Sequence, residues 1–228
     1  MALYAIGDLH LALSTNKSME VFGKAWENYV ERIGESLARL SAEDTLILAG
    51  DTSWGMSLEE SEADFRFLEQ FPCRKILLKG NHDYWWNTNT KMQRFFDEKG
   101  FTTLQILHNN AHFHGPAAIC GSRGWFFEEE QSGQNEKVLN RELGRIEASF
   151  RAAEGREILC FLHYPPLYVG YRCEPILRLL SEWGVKRCYY GHLHSHAIRR
   201  RIEGVAGGVD YSLISADYLA FVPKKICD

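Results

Sequence analysis

Thr45-Leu46-Ile47-Leu48-Ala49-Gly50-Asp51 is the stretch that decides the fold. Its uncharged run from Thr45 to Ala49 is too short for a stable helix and stops at a glycine, which reads as a strand buried on both faces. A carboxylate then stands just past the strand's C-terminal end, the edge at which open α/β sheets bind ligands. Working outward, the pattern repeats. Leu3–Gly7 leads into Asp8-Leu9-His10, Lys75–Leu78 into Gly80-Asn81-His82-Asp83, and Ile158–Leu162 into His163, while Cys188–Tyr190 leads into Gly191-His192-Leu193-His194. A sixth run, Ala117–Cys120, has the same character without a polar end.

Between these runs lie helical patterns. Phe22, Trp26, Tyr29, Ile33, Leu37 and Leu40 follow three- and four-residue steps, the spacing of one apolar helix face. Leu58–Phe71, Lys91–Phe96, Glu136–Ala153 and Pro175–Trp183 read similarly, and Ala197–Val222 returns to strand-like alternation interrupted by Gly204, Gly207 and Gly208. Strands alternating with helices and then a more purely β end predict an α/β fold with sheets packed on each other. With no linker, repeat or low-complexity tract, residues 1–228 are expected to form a single domain.

Composition narrows the function classes. Hydrophobic residues make up 45% and charged residues 25%, as in ordinary folded proteins. The net charge of −4 gives no basic footprint, so binding to nucleic acid is disfavoured. No window reaches the roughly 18 to 20 apolar residues of a membrane crossing. Met1–Asp8 lacks the pattern of a secretory leader and reads as a strand. The six cysteines are dispersed, with no CxxC pair, and are expected to be reduced core residues of a cytoplasmic protein.

Five strands delivering Asp, Asn and His to one edge is a chemical signal. In extended geometry, residues two apart share a face, so Asp8 with His10, and His192 with His194, are each expected to grip from one side. Asp51 has two oxygens and can bridge two cations. Asn81 offers a neutral carbonyl and His163 another imidazole. Gly7, Gly50, Gly80 and Gly191 precede these groups and allow close approach of the chain. Nitrogen and oxygen donors without thiolate favour Mn, Fe, Co, Ni or Zn over an all-oxygen calcium cage.

Gly7–His10, Gly50–Trp54, Gly80–Asp83, His163 and Gly191–His194, in that order, resemble the signature of the calcineurin-like metallophosphoesterase superfamily, over most of the chain. The resemblance implies a β-sandwich of two mixed sheets flanked by helices. It implies one metal on Asp8, His10, Asp51 and His194, another on Asp51, Asn81, His163 and His192, and His82 as the catalytic histidine. The cofactors would be two divalent or trivalent transition-metal ions, manganese first, with Fe, Zn, Ni or Co as alternatives. Such a pair activates a hydroxide for attack on a phosphomonoester or phosphodiester, and the expected partner is a small phosphoester. The superfamily's protein phosphatases extend the second block to GDxxDRG. Here Thr52-Ser53-Trp54-Gly55 follows Asp51, so protein phosphatase activity is disfavoured.

Other features have plainer readings. His112 and His114 form an HxH pair after Asn109-Asn110 and are read as structural or surface residues; His196 is read as a rim or supporting residue. Tyr84, Trp85, Trp86 and Trp54 stand beside the blocks, where they either stack on substrate or pack the loops. Tyr164-Pro165-Pro166 is a rigid turn that aims His163, Phe126–Glu130 a solvated acidic loop, and Arg199–Arg201 a charged strand edge. Two rival functions share the fold: a catalytically idle protein-interaction scaffold, disfavoured because all eight positions are intact, and a nuclease, disfavoured by the acidic balance.

Overall fold

The structure, a computed structural model, describes residues 1–125 and 132–228. The acidic loop expected at Phe126–Glu130 lies outside the described residues. Two mixed sheets carry the chain. The first has the order β13-β1-β2-β3-β4, with β1 Leu3–Ile6, β2 Thr45–Ala49, β3 Arg74–Leu78, β4 Leu104–Ile106 and β13 Lys224–Cys227. The second has the order β11-β12-β10-β7-β6-β5, with β5 His112–His114, β6 Ala117–Ser122, β7 Glu157–Leu162, β10 Arg187–Tyr190, β11 Gly204–Ala206 and β12 Val209–Leu213. A small hairpin, β8 Leu167–Tyr168 with β9 Tyr171–Arg172, follows β7. The β-sandwich flanked by helices implied by the resemblance is what forms.

Period-two side-chain alternation sorts the core into layers. On β2, Ile47 and Ala49 face the layer between the sheets, where Ile76 and Leu78 of β3, Leu159 and Phe161 of β7, and Tyr189 of β10 also lie. Leu46 and Leu48 face the other way, under the helices α1 Tyr29–Leu37, α2 Glu62–Glu69 and α3 Asn89–Lys99. Cys160, Leu162, Cys188 and Tyr190 likewise face outward under α4 Ser132–Arg151 and α5 Glu174–Glu182. Strands covered on both faces need apolar residues at every position, which is why these runs read as continuous rather than alternating. The six cysteines are free thiols, five of them buried. Among the described residues no helix is long and apolar enough to cross a membrane.

Two expectations need correction. The face running from Phe22 to Leu40 is not one helix: short 3-10 turns at Met19–Phe22 and Lys24–Trp26 precede α1. Gly23 at φ +114° and Asn28 at φ +52° break the helical path, and the break lets Trp26 turn inward, fully buried, 5.8 Å from the ring of His194. The tail is not continuously β either. A 3-10 segment covers Ser195–Arg200, and Ser215–Val222 is a turn-rich loop in which Ala220 and Phe221 take φ of +50° and +63°. Burial of Phe221 against Trp26, 5.2 Å away, holds that turn.

The parallel strands β1, β2 and β3 in one sheet, and β7, β10 and β12 in the other, present their C-terminal ends together. Backbone hydrogen bonds join the two sheets at that edge. Gly7 N donates to Ile214 O at 2.7 Å, and Ala216 N donates to Gly7 O at 3.0 Å.

Candidate metal centre

Each loop leaving this edge turns sharply. Asp8, His10, Asp51 and His192 have φ of +60°, +47°, +51° and +72°. The extended Asp-x-His geometry expected from the sequence is therefore wrong: His194 is extended, but Asp8, His10, Asp51 and His192 sit on left-handed turns. Such conformations are costly for residues with a Cβ and persist where the surroundings over-determine them.

The turns bring the separate blocks together. His194 Nε2 is 3.2 Å from Asp8 Oδ1 and 3.3 Å from His10 Nε2. His163 Nε2 is 2.6 Å from Asn81 Oδ1 and 3.5 Å from Asp51 Oδ2. That Asp51 oxygen is also 3.7 Å from His10 Nε2, so it stands between the two sets. His192 joins through its backbone N–H, which donates to Asp8 Oδ2 at 2.9 Å, and its ring lies 5.2 Å from that of His163. Donor atoms of Asp8, His10 and His194, and of Asp8, Asp51 and His163, lie within 4.8 Å of one another. Asp8 enters the second group through His163 Nδ1, at 3.7 Å. That nitrogen also approaches Ala49 O at 3.2 Å, where its N–H donates, so Nε2, beside Asp51 and Asn81, is the lone-pair face of the ring.

With the proton on Nδ1, the His163 Nε2 lone pair stands beside Asn81 Oδ1 and Asp51 Oδ2, a converging set of donor atoms suited to a cation. Three glycines make the crowding possible. A Cβ on Gly80 would sit 2.0 Å from Asp51 Oδ1, one on Gly191 2.5 Å from Asp8 Oδ2, and one on Gly50 2.6 Å from His163 Nδ1. Of these, only Gly50 needs positive φ, at +88°. This nitrogen- and oxygen-rich donor set fits divalent transition metals.

Electrostatics follow from burial. Desolvation pushes the carboxyl of Asp51 up, and Asp83 and Asp8 push it further. Desolvation also works against ionised Asp8, but the neighbouring His194, His163 and His10 overcome it and hold that carboxyl well below the usual range. His194 is the counterpart: burial opposes its charge, yet Asp8 and Asp217 push its pKa up to about 10. His192 is pushed down to about 3 by burial and by His163. His82 is lowered by burial, then by the nearby His163 and His194, with a smaller contribution from Lys17.

His82 donates its backbone N–H to Asp51 Oδ1 at 2.7 Å. Its half-buried ring is 4.5 Å from that of Trp54 and 5.6 Å from that of His10. Trp54 in turn stacks on His10 at 4.9 Å and 27°. The eight residues singled out from the sequence are thus gathered in one place. His112 and His114 lie elsewhere on β5, where His112 Nε2 is 2.9 Å from Ile106 O, and His196 is exposed.

Two supporting carboxylates were missed. Asp217 accepts from Ser195 N at 2.9 Å and lies 3.2 Å from His194 Nδ1, which turns Nε2 toward the site. It comes from the loop read as strand, and no pattern marked it. Asp83, fully buried, accepts from Asp51 N (2.8 Å), Thr52 N (2.8 Å), Gly80 N (2.7 Å) and Trp85 Nε1 (2.9 Å), tying two site loops together. The packing reading of Trp85 follows from that bond and from its 1% exposure, while Tyr84 beside it is exposed.

A family model described as calcineurin-like phosphoesterase matches residues 1–196. Among solved structures, the chain resembles a phosphopantetheinyl hydrolase from Mycobacterium tuberculosis at 16% identity and a TM-score of 0.61, covering 99% of this chain and 95% of that one. It also resembles a protein of unknown function from Aquifex aeolicus at 16% identity and a TM-score of 0.55, covering 98% and 95%. No curated protein matches significantly by sequence.

Proposed function

The chain belongs to the calcineurin-like phosphoesterase family, and from that premise we propose that it hydrolyses a small phosphomonoester or phosphodiester with two transition-metal ions held by the centre described above. The carrying observation is Asp51, whose Oδ2 faces His10 Nε2 at 3.7 Å and His163 Nε2 at 3.5 Å, so one carboxylate serves two donor sets. One ion would be held by Asp8, His10, Asp51 and His194, the other by Asp51, Asn81, His163 and His192. Manganese is the first candidate and Fe, Zn, Ni or Co the alternatives. When bound, such ions supply Lewis acidity and lower the pKa of water toward neutrality.

The chain's own residues do the rest. Asp217 fixes the ring of His194, and the Ala49 carbonyl fixes that of His163, so both turn Nε2 toward the centre. Asp83 holds the Asp51 and Asn81 loops at a set spacing. His82 would meet the scissile phosphoester. If protonated, His82 would stabilise charge or donate a proton to the leaving oxygen; burial favours its neutral ring, which can offer that oxygen an N–H hydrogen bond. A cleft of about 350 Å³ lined by Met56, Tyr84, Lys91 and Arg94 gives room for the organic part of the ester, and Tyr84, 6.1 Å from His82, joins it to the site.

The test is a panel of proteins reconstituted with Mn, Fe, Co, Ni or Zn and assayed on paired mono- and diester chromogenic substrates, with Asp51→Asn as control. Hydrolysis by at least one loaded form, abolished together with both bound ions in Asp51→Asn, is expected. Stoichiometric loading without hydrolysis of either ester class would instead support the idle scaffold.

A further inference from the structure

Trp54 has two working faces' worth of neighbours. Its ring stacks on His10 at 4.9 Å and stands 4.5 Å from His82, so it walls one side of the centre. It is also approached by a cation: Lys17 Nζ is 5.5 Å from the ring centroid and 3.6 Å from Met56 Sδ. Lys17 itself is exposed, on the loop that follows His10.

Lys99, which also lies over an aromatic ring, is neutralised by Glu62, whereas among the described residues no carboxylate pairs with Lys17. Its ammonium instead lies on an aromatic ring and a thioether. Such contacts restrict a long, otherwise mobile side chain without neutralising it. The loop after Asp51, Thr52-Ser53-Trp54-Gly55, contributes no cation of its own. A positive charge held one ring away from His10 and His82 is therefore available to whatever anion docks against them.

We propose that Lys17 is a substrate-binding residue, which from its perch on Trp54 takes up a non-bridging oxygen of the phosphoester. This rests on the phosphoesterase reading above. The phosphoryl group carries negative charge on oxygens that are not transferred, and a lysine engages them as a point charge without demanding one orientation. Trp54 pre-positions that charge, so less freedom is lost when the anion arrives.

The experiment compares metal-loaded wild type with Lys17→Met, Lys17→Arg and, as a control, Lys24→Met at an exposed lysine nearby. KM and kcat are measured on a chromogenic phosphomonoester, and the affinity for inorganic phosphate is measured by calorimetry. Lys17→Met is expected to raise KM and the phosphate Kd about tenfold, equivalent to about 1.4 kcal/mol, with a smaller change in kcat. Lys17→Arg should recover most of the loss, and Lys24→Met should match wild type. Unfolding temperatures equal to wild type would exclude a folding defect, which this exposed side chain is not expected to cause. If KM and phosphate affinity in Lys17→Met stay within twofold of wild type, the assignment is overturned. If the loaded wild type hydrolyses nothing, the phosphoesterase reading fails, and the phosphate titration alone decides whether Lys17 binds the anion.

Discussion

Replacing Asp83 with Asn removes one atom's worth of acceptor from the centre of the site's support. One carboxylate oxygen accepts from Asp51 N and Gly80 N, and the other from Thr52 N, Trp85 Nε1 and, at 3.4 Å, Ser53 N. An amide can accept at only one of its two ends, so whichever way it turns, at least two buried donors face an NH₂ group. Hydrogen bonds to a charged acceptor contribute about 1.5–3 kcal/mol each, giving a gross loss of about 3–6 kcal/mol. Burial raises the Asp83 pKa, which shows that the native charge carries a desolvation cost that Asn would relieve. With that offset, a net destabilisation of about 2–4 kcal/mol is expected. In urea, with a slope toward the upper end of about 1–3 kcal/mol per M, the unfolding midpoint should drop by about 0.7–1.3 M. The same variant should bind metal more weakly, because the donors released, Asp51 N and Gly80 N or Thr52 N, Ser53 N and Trp85 Nε1, belong in either orientation to the loops that carry Asp51 and Asn81. A midpoint within about 0.3 M of wild type, at unchanged slope, would refute the view that this carboxylate clamps the loops.

Three further outcomes follow from the geometry. Gly80→Ala puts a methyl 2.0 Å from Asp51 Oδ1 and 2.3 Å from Asp51 N, so metal stoichiometry by elemental analysis should fall even where the protein still folds. Asp217→Asn should weaken metal affinity about 10–100-fold in competition with a chelating dye while leaving the unfolding temperature close to wild type, because it frees His194 to rotate. His194, at about 10 in the metal-free protein, is protonated near neutral pH. Loading the site must then displace that proton, so apparent metal affinity should rise with pH, and calorimetry in buffers of different ionisation enthalpy should report net proton release.

The strands were legible because both of their faces are covered. The uninterrupted apolar runs at Thr45–Ala49, Lys75–Leu78 and Ile158–Leu162 have no other economical reading, and β2, β3 and β7 match them to within a residue. The gathering of site residues was legible for a related reason: polar groups that repeatedly follow buried strands have one edge to share. Backbone shape was not. A left-handed turn at Asp8 or His192 is only hinted at by residue type: Asp and His are enriched at positive φ, but positive φ is uncommon for them all the same. The broken helix before Tyr29 shows the same limit. Apolar spacing continues through Met19–Trp26, but tertiary packing of Trp26 against His194 outweighs helical continuity. Asp217 was invisible because its partner, His194, is 23 residues away, and proximity across a loop has no period.

The centre draws from both sheets. Asp8, Asp51 and Asn81 hang from strands of one, and His163, His192 and His194 from strands of the other. A cation held by both would act as a rivet through the sandwich, so that the chemistry at the mouth of the molecule would also latch its two halves, and a chelator would act as a key.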